Sequence, residues 1–105
     1  MSLSKLTPRE IVDVDRFLNR LIKLSAVQGL TVRQIWILVQ TYKDVTTVRG
    51  MHEISGVDKS ALTRGGFVLE NLGFIERREE PGDRRSVEFH ITKAGTRAVE
   101  QIAGL

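Results

Sequence analysis

The spacing of apolar residues in the sequence changes directly after Gly73. Before this glycine, apolar residues recur at the spacing of amphipathic helices, and after it they alternate as in half-buried strands. Residues 74–78 and 86–91 form the two alternating runs, and Pro81 and Gly82 between them are typical of a type II turn. The sequence therefore predicts helices as far as Gly73 and a two-stranded hairpin after it.

Four helices are predicted before the hairpin and one after it, each beginning at a Thr or Asp suited to the N-cap position. The first also has Pro8 at its first position and Glu10 to complete a capping box. Glycines are predicted to end the first, third and fourth helices. The predicted spans are residues 8–28 after Thr7, 32–42 after Thr31, up to Ser55 after Thr46 or Thr47, 59–72 after Asp58, and 93–103 after Thr92.

The helix of residues 59–72 has two distinct sides on a helical wheel. The side predicted to face the core carries Leu62, Gly65, Leu69 and Leu72. The opposite side carries Ser60, Thr63, Arg64, Phe67 and Asn71. Ser, Thr, Arg and Asn are side chains that reach base edges and phosphates. The solvated face of any surface helix looks similar, and it is the hairpin after this helix that favours a DNA-binding interpretation.

The order of the elements, with a short turn at Gly56 between the third and fourth helices, is that of a winged helix-turn-helix. We predict a mainly α fold with a small β-hairpin wing near residues 77–88. The predicted organisation is one domain over residues 1–105, with a DNA-binding core at 30–98 flanked by helices within 7–28 and 92–105.

Four runs of residues resemble the MarR family of bacterial transcription regulators. They are GVDKSALTR at 56–64, LENLGFIER at 69–77, DRRS at 83–86 and ITKAG at 91–95. The resemblance implies a sequence-specific regulator of transcription that binds double-stranded DNA, most simply as a repressor. It places the fourth helix in the major groove and an arginine of the wing in the minor groove.

Carried over position by position, the resemblance also implies which residues touch DNA. On the recognition helix these are Asp58, Lys59, Ser60, Thr63 and Arg64. On the wing they are Asp83 and Arg85, with Arg84 able to share their role. The chemistry agrees, because a narrow minor groove attracts arginine through its negative potential. Of the two arginines before the turn, Arg77 and Arg78, at least one is expected to pair with a neighbouring glutamate.

The recognition helix departs from the family pattern at three consecutive positions. Gly65 and Gly66 each weaken a helix by about 1 kcal/mol relative to Ala. We expect Gly65 to permit close packing, and the competing hypothesis is a helix that stays loose until DNA orders it. Phe67, on the DNA-facing side, is expected to pack against the wing or a flanking loop; the alternative is contact with a thymine methyl or a sugar.

The other departure from the family is at the C-terminal end, because most of the family's two longer C-terminal helices is missing after Thr92. The family's ligand pocket is therefore not carried over to this chain, and whether a small-molecule ligand binds stays open, but we still expect a homodimer. The apolar faces available for it are those of Phe17, Leu18, Leu21, Ile22, Leu24, Val99, Ile102 and Leu105. The alternative is that these faces close the core of the monomer itself.

Composition excludes several classes of function. The chain has no cysteine and two histidines, so we expect no enzyme, no cofactor and no metal site. No apolar run is long enough to span a membrane, and the expected location is the cytoplasm, with the nucleoid. The net charge of +3 favours a polyanionic partner only weakly. A winged-helix module that holds another protein and does not itself bind DNA is thus the alternative function.

Overall fold

The computed structural model describes residues 5–80 and 82–104, without the side chains of residues 80 and 83–86. Its element order is the predicted one, with five helices and a two-stranded antiparallel hairpin in the described part of the chain. The elements are α1 (Pro8–Gln28), α2 (Val32–Tyr42), α3 (Val48–Ser55), α4 (Lys59–Asn71), β1 (Ile75–Glu80), β2 (Asp83–Ile91) and α5 (Lys93–Ala103).

Threonine hydroxyls cap four of these helices, as predicted. Thr7, Thr31, Thr47 and Thr92 each accept a hydrogen bond from the backbone N–H three residues later. Thr47, and not Thr46, is the cap of α3. The predicted capping box at Thr7 is wrong in one detail, because the carboxylate of Glu10 accepts from the Thr7 hydroxyl at 3.0 Å. The complete capping box is at Thr31, where the Gln34 side chain accepts a hydrogen bond from the Thr31 backbone N–H.

Helix α2 lies at the centre of the core. It contacts α1, α4, α5 and β2, and its Ile35, Ile37 and Leu38 side chains are fully buried. Each of the surrounding elements adds side chains to the same apolar cluster. The helix predicted to bind DNA, α4, therefore packs against α2 on its buried side.

Helix α1 buries much less than its wide apolar face predicts. In the described chain only Leu21 and Leu24 are buried, where α1 packs against α5. Val99 and Ile102, which were expected in a dimer interface, lie in the same core. The exposed apolar side chains are Ile11, Val12, Val14, Phe17, Leu18, Ile22 and Val27. The expected apolar face is thus divided between the core and solvent, and Leu105 lies outside the described residues.

Two further predictions about the core are wrong. Leu72 was assigned to the buried side of the fourth helix but is 43% exposed, because the helix ends at Asn71 and Leu72 forms its C-cap. The helical spacing of apolar residues over 93–103 predicts Ala94 on the apolar side of the last helix, but Ala94 is exposed. Gly95, one position further on, is the residue that α5 buries in its first turn.

The hairpin is longer than predicted, and its strands reach the tip. Glu80 pairs with Asp83, so residues 81 and 82 form the connection. Gly82 has the positive φ of 86° that the third position of a type II turn requires, while Pro81 lies outside the described residues. At the other end, the Phe89 N–H donates to the Thr46 carbonyl at 2.8 Å. This bond ties β2 to the segment that leads into α3.

The alternation of residues 86–91 predicts that Val87, Phe89 and Ile91 share one face of β2, and this is confirmed. Phe89 is fully buried, and Val87 and Ile91 are half-buried against the core. Glu88 and His90 on the other face are also half-buried and approach each other to 3.2 Å. None of the described helices is both long and apolar enough to cross a membrane.

Candidate nucleic-acid interface

The turn between α3 and α4 fixes the direction of the second helix. Gly56 adopts a left-handed φ of 72° and ends α3, and its N–H donates to the His52 carbonyl. The imidazole Nδ1 of His52 donates to the Val57 carbonyl at 2.7 Å. His52, on α3, therefore has a structural role in the turn.

All five recognition-helix residues predicted to contact DNA lie at the start of α4. Asp58 occupies the N-cap position, but its side chain makes no capping hydrogen bond. Lys59, Ser60 and Arg64 are exposed. Thr63 is half-buried, and its hydroxyl donates to the Lys59 carbonyl at 2.8 Å. The structure thus brings these side chains together on one surface, while their contact with DNA stays a prediction.

A groove of 490 Å³ lies between the first turns of α4 and the hairpin. Lys59 and Thr63 line one side of it and Arg77 of β1 lines the other. Thr47, the N-cap of α3, and Arg49 of α3 close its end. Arg49 is exposed and pairs with Glu53 at 3.3 Å. Arg49 was not predicted as a site residue, although it lies two residues after the N-cap of the first helix of the motif.

A second groove of 440 Å³ lies on the opposite flank of α4. It is lined by Arg64 of α4 and by Thr31, Arg33 and Gln34 from the start of α2. Arg33 is exposed and was also missed. No local pattern distinguishes Arg33, because only the packing of α2 behind α4 brings it near Arg64. The exposed side of α4 therefore has cationic side chains on both flanks.

The wing residues Asp83, Arg84 and Arg85 are the first three positions of β2, next to the tip. Their side chains lie outside the described part of the structure, so their predicted contacts stay predictions. The interpretation of the two preceding arginines is confirmed in part. Arg78 pairs with Glu76 on the surface at 2.7 Å, as expected of at least one of them.

Arg77 behaves differently, because it lies against the recognition helix. Its guanidinium carbon is 3.8 Å from the centroid of the Phe67 ring, a cation–π contact. Its backbone N–H donates to a carboxylate oxygen of Glu70 at 3.2 Å. Phe67 is still 46% exposed. The prediction that Phe67 packs against the wing is confirmed.

The two glycines of α4 are sites of close packing. A Cβ added to Gly65 would lie 2.5 Å from Cδ1 of Ile37 in α2. A Cβ added to Gly66 would lie 2.5 Å from Cζ of Phe89 in β2. The packing interpretation of Gly65 is confirmed, and Gly66 has the same function toward the hairpin. The glycines let α4 approach the core and the wing at once.

Thr92 and Gly95 join the hairpin to the last helix. Besides capping α5, the Thr92 hydroxyl donates to the Gly73 carbonyl at 2.6 Å, and the Thr92 N–H donates to the Phe74 carbonyl at 3.1 Å. A Cβ on Gly95 would overlap the Phe74 carbonyl oxygen. The threonine and glycine of the ITKAG run are therefore needed to close the base of the hairpin.

No cluster of three or more His, Asp or Glu side chains suited to a metal ion occurs in the described residues. The described residues form a helix-turn-helix of α3 and α4, and α4 packs against the β1–β2 hairpin. This arrangement defines a winged helix-turn-helix domain.

Solved structures with the same fold identify its type. No protein family and no curated protein matches the chain by sequence. The YusO protein from Bacillus subtilis is 22% identical, with a TM-score of 0.72 over 99% of this chain and 77% of that one. The transcriptional regulator Tm0710 from Thermotoga maritima is 26% identical, with a TM-score of 0.69 over 92% of this chain and 71% of that one.

A third similar structure contains DNA. A mutant MarR from E.coli complexed with operator DNA is 27% identical, with a TM-score of 0.69 over 91% of this chain and 69% of that one. The chain therefore has the fold of the MarR-type winged helix-turn-helix regulators, as its sequence motifs implied, and these regulators are not enzymes.

Proposed function

We propose that the protein is a transcription regulator that binds double-stranded DNA in a sequence-specific manner, with α4 in the major groove. The observation that carries this proposal is the pair of cationic grooves on the two flanks of α4. A helix with its side chains is about 10–12 Å across, and the major groove is about 12 Å wide. A helix seated there has a phosphate backbone on each side, which two cationic flanks would meet.

The residues divide naturally between phosphate and base contacts. Arg33 on one flank, and Arg49 and Lys59 on the other, are exposed cations suited to phosphates. Arg64, which projects from α4 itself, is suited to bidentate recognition of guanine. The Thr63 hydroxyl already donates within the helix, so its methyl group and its lone pairs are what it offers to a base.

The wing is proposed to contact the adjacent minor groove through Asp83, Arg84 and Arg85. Support comes from the backbone, which places these residues beside the tip of the hairpin. Six residues of strand extend about 20 Å at about 3.4 Å each, enough to carry the tip beyond the helix. Arg85 is proposed to enter the groove, with Asp83 orienting an arginine.

The protein is further proposed to act as a homodimer and as a repressor. Ile11, Val14, Phe17, Leu18 and Ile22 on α1 are all at least 40% exposed, and they recur at helical spacing. Such a continuous apolar face is unusual on a monomer. Two copies related by a two-fold axis would place their recognition helices about 34 Å apart and prefer a pseudo-palindrome. A dimer on a promoter, in the cytoplasm, would block transcription.

The experiment is a selection from random duplexes followed by titration of the selected site at several salt concentrations. Arg64→Ala is expected to cost about 1–3 kcal/mol of binding and to relax the base preference at one position. Arg85→Ala is expected to weaken binding and to lower the salt slope by about 1. Arg97→Ala, an exposed arginine on α5, is the matched control. Absence of salt-dependent binding, or an Arg85→Ala variant equal to wild type, contradicts the proposal.

The alternative, a module that holds another protein through Phe67 or α1, has less support. Phe67 is covered in part by Arg77, so it is not a free aromatic anchor. Lys59 and Arg64 are both exposed on α4, as a DNA-binding surface requires.

A further inference from the structure

We infer that Arg77 is a positioning residue, which together with Phe67 clamps the wing to the recognition helix and sets the angle between them. The inference rests on the proposed function only for its consequence in DNA binding. The clamp itself is a property of the free protein. Its physical basis is a set of three contacts between consecutive turns of α4 and one cross-strand pair of the hairpin.

The cross-strand pair is Arg77 and Phe89, which face each other in the register of the two strands. Phe89 points into the core, and its ring fills the space that the missing side chain of Gly66 leaves. Arg77 covers the ring of Phe67 and receives the carboxylate of Glu70 on its backbone N–H. Residues 66, 67 and 70 of the helix thus hold both strands of the hairpin.

The three contacts differ in what they contribute. The Phe89 contact is fully buried and belongs to the core, so it is needed for folding. The contact of Arg77 with Phe67 lies at the surface, where the ring remains 46% exposed, and it can be removed without opening the core. It also fixes the guanidinium, whose Nε is buried and has no hydrogen-bond partner among the described residues.

The position of the clamp lets it control the orientation of the wing tip. Arg77 is the third residue of β1, and the strand continues to Glu80 before the chain turns. Since the tip lies about three residues, or about 10 Å, beyond the clamp, a small rotation at Arg77 becomes a larger displacement at Arg85. Without the clamp, the wing is held to α4 mainly by its buried base, and its tip explores more orientations.

The amide of residue 77 is a direct reporter of this contact, because its N–H donates to Glu70 of α4. We propose to measure its hydrogen exchange in the DNA-free protein. Phe67→Leu and Arg77→Met are each expected to speed this exchange about two- to fivefold, the range of an exposed cation–π contact. The double variant is expected to exchange no faster than either single one. Phe67→Tyr, which keeps the aromatic ring, is expected to exchange this amide at the wild-type rate.

Arg78→Met is the matched control, since Arg78 is the next residue on the same strand and pairs with Glu76 on the surface. It is expected to leave the exchange unchanged. Side-chain protons of Arg77 are also expected to be shifted upfield by the Phe67 ring, and Phe67→Leu should abolish that shift. Additive effects of the two substitutions, an equal effect of Arg78→Met, or unshifted Arg77 protons would each overturn the inference.

The consequence for DNA is measured separately, with a duplex that extends under the wing and a shorter one that ends before it. Wild type is expected to prefer the longer duplex, and Arg77→Met and Phe67→Leu are expected to lose at least half of that preference. If wild type binds neither duplex but the exchange results hold, the proposed function fails and the clamp stands. If wild type binds both and the exchange is unaffected by the variants, the clamp fails and the proposed function stands.

Discussion

Replacement of Gly66 by Ala tests whether the recognition helix is pressed against the hairpin. The new Cβ would lie 2.5 Å from Cζ of Phe89, with two more ring atoms at 3.0 and 3.2 Å. The ring is rigid and fully buried, so it has no room to move aside. Added atoms in a packed core typically cost about 1–3 kcal/mol, and three close ring atoms place this site in the upper part of that range.

The gain in helix propensity opposes this cost. Ala is more favourable than Gly in a helix by about 1 kcal/mol. We therefore expect Gly66→Ala to lower the free energy of unfolding by about 1–2 kcal/mol in total. For a domain of this size that corresponds to a fall in Tm of about 4–8 °C per kcal/mol.

Urea denaturation followed by circular dichroism measures the change directly. Asn71→Ala is the control in the same helix, because Asn71 is exposed and its replacement changes propensity without adding a contact. The control is expected to stay within about 0.5 kcal/mol of wild type. If Gly66→Ala is instead more stable than wild type by about 1 kcal/mol, the gain in helix propensity is the only effect and the new Cβ does not clash with Phe89. The helix would then be loose against Phe89, as the competing hypothesis holds.

Three further outcomes are expected. Thr92→Ala should lower the free energy of unfolding by about 1–2 kcal/mol in urea denaturation, and by more than Thr7→Ala, because Thr92 also holds the base of the hairpin; equal losses would contradict this. Leu18→Glu should convert a dimer to a monomer in sedimentation experiments, whereas Lys23→Glu on the same helix should not; a dimer that survives both would exclude the α1 face. Lys59→Ala should weaken binding by a similar factor for all sequences and reduce the salt slope by about 1; an altered base preference would assign it a base contact instead.

The boundaries of the helices were predictable from sequence because each depends on a few neighbouring residues. A threonine hydroxyl reaches only the N–H groups of the next turn, so Thr31 and Thr47 predict where α2 and α3 begin. Gly56 ends a helix through its own φ. The recognition-helix side chains follow from the same local geometry, since Ser60 and Arg64 are one turn apart.

The parts that could not be predicted depend on how the elements meet. Arg33 joins the candidate interface only because α2 lies beside α4, and no spacing along the chain contains that information. Arg77 and Arg78 are neighbours of the same type, yet one stacks on Phe67 and the other pairs on the surface. Alternation along a strand predicts that they differ, but not which one meets the helix.

The glycine pair of α4 connects the stability of the domain with the shape of its DNA-binding surface. Two glycines reduce the helical stability of α4 by about 2 kcal/mol relative to alanines, which a short surface helix could not sustain alone. They are tolerated because the space they leave is filled by Ile37 on one side and Phe89 on the other. The helix is consequently ordered by its contacts with α2 and the wing, and not by its own propensity. Substitutions at Phe67 or Arg77, which join the recognition helix to the wing, should therefore alter how these two elements fit DNA together.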